Sequence, residues 1–74
     1  MKTWVVEFLW PDYRKLTGKE TQASTEGQAV KNILYRVFKG KKTQGEIALL
    51  WQKMMDSDNA FLIWNITDYR KEAV

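Results

Sequence analysis

Residues 3–10 (TWVVEFLW) alternate as an extended segment does, with Trp4, Val6, Phe8 and Trp10 on one face and Thr3, Val5, Glu7 and Leu9 on the other. Aromatic and β-branched residues dominate, and Pro11, which cannot donate to a sheet ladder, closes the run. Both faces carry apolar residues, which predicts a strand in the middle of a sheet. Residues 19–23 (KETQA), after Thr17-Gly18, predict a short polar strand suited to a sheet edge.

The apolar spacing then becomes helical. Ser24 and Thr25 supply capping hydroxyls, Gln28 stands three residues after Thr25 as in a capping box, and Glu26 complements the positive end of a helix dipole. Ala29, Val30, Ile33, Leu34, Val37 and Phe38 form one stripe, Lys31, Asn32, Arg36 and Lys39 fall mostly elsewhere, and Gly40 is placed to end the helix. Thr43 and Glu46 repeat the capping spacing, and Ile47, Leu50, Trp51, Met54 and Met55 form a second stripe that stops before Asp56. A strand over residues 46–51 competes with this helix, but IALLW holds one β-branched residue and no polar alternation. Residues 60–67 (AFLIWNIT) predict a last strand, apolar on both faces as far as Asn65.

The order strand, strand, helix, helix, strand predicts one α+β domain over residues 1–74, with no linker or repeat to mark a second. If the first two strands form a hairpin and the helices form an antiparallel pair on one sheet face, the last strand re-enters beside the first and parallel to it. The sheet order is then 2-1-3. The core is expected to hold Val30, Ile33, Leu34 and Val37 from the first helix and Ile47, Leu50, Trp51 and Met54 from the second.

Composition narrows the chemistry. The chain has no cysteine, so no disulfide or thiolate metal site staples this small core, and packing alone must hold it, which gives the four tryptophans a structural purpose. It also has no histidine, the usual general base near neutral pH and a common zinc ligand. A non-catalytic protein without cofactor or metal is therefore expected. Asp56, Asp58 and Asn59 open with the spacing of a calcium loop, but counting twelve residues from Asp56 reaches Thr67 where a bidentate Glu is needed. Glu7 has no partner carboxylate at a recognisable spacing, and Gly18, Gly27, Gly40 and Gly45 stand too far apart to form a phosphate loop. No apolar run is long enough to span a bilayer, and the first ten residues lack the features of a signal peptide, so the expectation is a soluble cytosolic protein.

Two patterns point to partners. The tetrapeptide DYRK occurs at residues 12–15 and again at 68–71. On the parallel topology both copies leave the sheet at one edge, where the loop after the first helix also ends. Arg14, Lys15, Lys39, Lys41, Lys42, Arg70 and Lys71 would then converge around Tyr13 and Tyr69, a composition suited to phosphate contact and base stacking. Solvated strand ends explain the same residues more simply, and the formal charge of +3 does not decide between the two.

The second pattern is apolar. A three-stranded sheet with helices on one face cannot hide both sides of its strands. Val5 and Leu9, or Trp4 and Trp10, with part of the last strand, need a cover from a protein partner or a second copy of the chain. Trp4, Val5, Leu9 and Trp10 are accordingly the candidate interface. The junction QASTEGQAV, residues 22–30, resembles the strand-to-helix passage of short uncharacterised bacterial and phage reading frames. That resemblance implies a small phage or mobile-element type of protein and assigns no functional residue.

Overall fold

The computed structural model describes residues 1–16 and 19–67. It holds strands β1 (Lys2–Phe8), β2 (Lys19–Ala23) and β3 (Phe61–Asn65), helices α1 (Glu26–Phe38) and α2 (Gln44–Asp56), and a 3₁₀ helix, Pro11–Leu16, between β1 and β2. The sheet order is β2-β1-β3. The α+β class and the central place of the first strand match the reading of the sequence.

The direction of the last strand does not. β3 runs antiparallel to β1, with Phe8 opposite Phe61 and Trp4 opposite Asn65. The parallel expectation assumed that α1 and α2 each traverse the sheet once, so that the chain would return to the start of β1. Instead, Met54 in the last turn of α2 joins the buried cluster that holds Phe8, Leu16 and Ala60. A short connection then brings Ala60 to the end of β1, where its carbonyl accepts from Leu9 N at 2.9 Å. From that edge β3 can only run backwards along β1.

Local chemistry accounts for the helix boundaries. Thr25 caps α1 by accepting from Gln28 N at 3.2 Å, while the Gln28 side chain turns away and donates to Asn32 Oδ1. At α2 the capping box is reciprocal: Glu46 N donates to Thr43 Oγ1 at 3.2 Å and Thr43 N donates to Glu46 Oε1 at 3.0 Å. Gly40, at φ 79°, takes the left-handed conformation that ends α1, which a residue with a Cβ enters only at a cost. Gly27 leaves room for side chains of α2, because a Cβ there would meet Met55 Cε at 3.4 Å. Its carbonyl accepts from Trp51 Nε1 at 2.9 Å, tying the two helices together.

The core lies between the helices and the face of β1 that carries Trp4, Val6 and Phe8. Val6, Val30, Ile33, Leu34 and Met54 are completely buried, and Ile47 nearly so. Each contributes about 1.5–3 kcal/mol relative to an exposed side chain. Val37, Leu50 and Trp51 pack against this cluster but are only half-buried. Leu16 joins it from the 3₁₀ helix, a segment for which the sequence pattern predicts no helix.

Candidate functional site

The face of the sheet away from the helices is built by the other parity of residues. Across the three strands, Glu20, Val5 and Trp64 form one row, because Val5 is opposite both Glu20 and Trp64. Glu7 and Leu62 form the next row, and Thr3 with Gln22 the one on the other side. Trp64 is 48% exposed and Leu62 47%, while Val5 is half-buried between its neighbours. Leu9, just past the end of β1, is half-buried and lines a shallow hollow of about 360 Å³ with Glu7, Phe8 and Arg14. The result is a small apolar patch with carboxylates on the same face.

The candidate interface residues therefore separate. Val5 and Leu9 belong to this open side. Trp4 does not: it is 6% exposed, packs with Ala23 and Ala29, and donates from Nε1 to the Ala23 carbonyl at 2.9 Å. Trp10 is half-buried against the main core, with its ring 6.1 Å from that of Tyr13. Helix packing claimed the bulkier set, so Trp4 of β1 and Trp10 beyond its end serve the core. Leu62 and Trp64 were missed as named residues, although Thr3 and Glu7, sharing a face with Val5, already signal its solvent side.

The basic candidates also separate. Tyr13 meets Phe38 edge to face at 6.2 Å between centroids, and Lys42 Nζ lies 5.5 Å from the Phe38 ring. This joins the 3₁₀ helix, which carries Arg14 and Lys15, to the end of α1 and its following loop, which carry Lys39, Lys41 and Lys42. Arg14 is partly engaged there, donating from Nε to the Leu9 carbonyl at 3.4 Å. The second DYRK copy, with Tyr69, Arg70 and Lys71, lies outside the described residues. Because β3 is antiparallel, the chain leaves it beside the start of β1, where Ile66 N donates to Thr3 O at 2.8 Å. The parallel placement of β1 and β3 from which a shared edge was expected is therefore absent.

Among the described residues, electrostatics add one perturbed group. The Thr43 main-chain N–H, and then its hydroxyl, hold the Glu46 carboxyl below the usual carboxylate range, with Lys42 acting in the same direction. Glu46 is thereby explained as a helix cap. Asp58 and Asn59 lie in a turn where Ser57 Oγ donates to Asn59 Oδ1 at 2.8 Å. Among the described residues, no three acidic side chains gather where they could hold a metal ion, and no helix is long and apolar enough to cross a membrane. Compared with known proteins, the chain matches no family model, and no curated protein or solved structure matches it significantly.

Proposed function

We propose that this chain is a small non-catalytic interaction module whose open sheet face takes a protein partner. The observation that carries the reading is the pair Leu62 and Trp64, about half exposed beside Val5 on a sheet face that no described helix covers. Large apolar side chains grouped on a strand face gain most from being covered by another protein. A partly exposed tryptophan is also the residue type most often found at the energetic centre of such contacts.

Charge indicates the partner's chemistry. Glu7 lies on this face, so two copies placed face to face would bring two carboxylates into one apolar interface. An apolar segment flanked by lysine or arginine fits better. The test is Val5→Lys, which puts a cation in the middle of the face on the central strand. Retention of a specific protein by immobilised wild type, its loss from Val5→Lys with the circular dichroism unchanged, and a blue shift of Trp64 emission on adding the purified partner would support the proposal. A partner bound equally well by both chains would sink it.

A second reading is favoured by the convergence of Tyr13 and Lys42 on Phe38. The five cations of these joined segments would make weak, sequence-independent contact with nucleic-acid phosphates. Each one removed should lower the slope of log affinity against log salt by up to about 0.7 for single strands or 0.9 for duplex. Absence of any binding at low salt removes this reading.

A further inference from the structure

The two edges of the sheet are built differently. In the ladder between β1 and β3, Leu9 N donates to Ala60 O and Ile66 N to Thr3 O. Antiparallel partners alternate between pairs that exchange hydrogen bonds and pairs that do not. Val5 with Trp64 and Glu7 with Leu62 are thus the exchanging pairs, and Phe61, Ile63 and Asn65 turn their N–H and C=O groups to the outer side of β3. The same alternation turns Glu20 and Gln22 outward on β2.

On β2 those outward carbonyls are covered. Asn32 Nδ2 donates to Gln22 O at 3.1 Å, and Arg36 Nη1 donates to Glu20 O at 3.0 Å. On β3, no described residue bonds to the outward main-chain groups. Its sequence, FLIWN, carries neither charge nor proline, the usual devices that stop strand edges from pairing.

We infer that the outer edge of β3 pairs with the same edge of a second copy, antiparallel about a two-fold axis at Ile63, to make one six-stranded sheet. In this register Phe61 stands opposite Asn65 of the other copy, and the two Ile63 residues stand opposite each other. All three outward donors and all three acceptors of each strand then find partners. Leu62 of each copy falls opposite Trp64 of the other, at the closer of the two antiparallel spacings, so the exposed side chains on this edge cover one another. A one-residue slip would set outward groups against groups already used within the β1 ladder, and a two-residue slip forfeits a pair. An uncharged strand facing its own copy meets no like-charge penalty, and it offers a basic or acidic partner strand nothing to pair with. A five-residue strand is about 17 Å long, which makes a small contact, with a dissociation constant between about 10 µM and 1 mM.

The test begins with sedimentation equilibrium from micromolar to millimolar protein. Wild type should move from the 8.8 kDa monomer towards twice that mass. The double variant Leu62→Lys with Trp64→Lys sets lysines opposite one another on exposed positions, and it should weaken association at least about tenfold with an unchanged circular dichroism spectrum. Asn65→Pro removes one outward N–H without touching the β1 ladder and should also weaken it. Register is tested by oxidising an equimolar mixture of Leu62→Cys and Trp64→Cys in this otherwise cysteine-free chain. Cross-links should join unlike variants, because like positions lie diagonally at about 7–8 Å.

A wild type that stays monomeric at millimolar concentration overturns the proposal, as does a dimer indifferent to both the lysine and proline variants. Cross-links confined to like variants overturn the axis at Ile63. The open-face proposal is tested at Val5 on the central strand, so either can fail while the other stands.

Discussion

Val5 and Val6 are neighbours with the same side chain on opposite faces of β1, and truncating each in turn tests how the sheet is oriented. Val6 is completely buried among Phe8, Ile33, Leu34 and Met54, while Val5 is half-buried beside Trp64. Val6→Ala removes two buried carbons, about 1.6 kcal/mol at ~0.8 each. A cavity that fails to close raises the loss to about 2.5 kcal/mol. The unfolding entropy of a 74-residue chain is about 155 cal/mol/K, so the midpoint should fall by about 10–16 °C. Val5→Ala removes the same atoms from a half-open site and should lose less than about 0.8 kcal/mol, or about 5 °C. Thermal unfolding followed by far-ultraviolet circular dichroism, with urea titrations to check the slope, measures both. Equal losses would refute the unequal faces of β1, and a larger loss at Val5 would mean that the helices pack on the other side.

Two further outcomes follow from residues already placed. Trp4→Phe removes the indole donor to the Ala23 carbonyl and should cost about 1–3 kcal/mol; it should also shift the mean tryptophan emission to the red, whereas Trp64→Phe shifts it to the blue, and spectra moving the other way would contradict the burial assignments. Glu46 has its folded pKa lowered, so its contribution to stability is fully present above the ordinary carboxylate pKa and is lost as pH falls through the lowered value. Glu46→Gln keeps a side chain that can complete the capping box but removes the titration, so its stability should fall less than wild type's in that acid window; parallel acid curves would remove Glu46 from the account.

Much of the local structure was legible because short-range chemistry specifies it. The polar run KETQA gives β2 with its observed bounds, and the hydroxyls of Thr25 and Thr43 mark both helix starts. The 3₁₀ helix escaped notice because PDYRKL has only one buried residue, Leu16, and no apolar period to reveal it. The direction of β3 was not legible for a different reason. It depends on where α2 sets down its last turn, which is a matter of how Met54 packs and not of any residue in β3 itself. The open face was half legible: parity placed Val5 and Leu9 together, but only the cross-strand register adds Trp64 and Leu62. The basic group was legible as far as Phe38 brings Tyr13 and Lys42 together.

The central position of β1 has a consequence for how the chain reaches this structure. Trp4 pairs with Thr21 on one side and with Asn65 on the other, 17 and 61 positions away respectively. The hairpin of β1 and β2 with α1 across it can form from local contacts early. The remaining side of β1 must wait for a strand that emerges from the ribosome more than fifty residues later. Closing so long a loop delays the final step and favours slow folding over fast collapse. Until β3 arrives, a nascent chain therefore displays a hydrogen-bonding edge of its central strand, and this interval is when it is most exposed to pairing with the wrong chain.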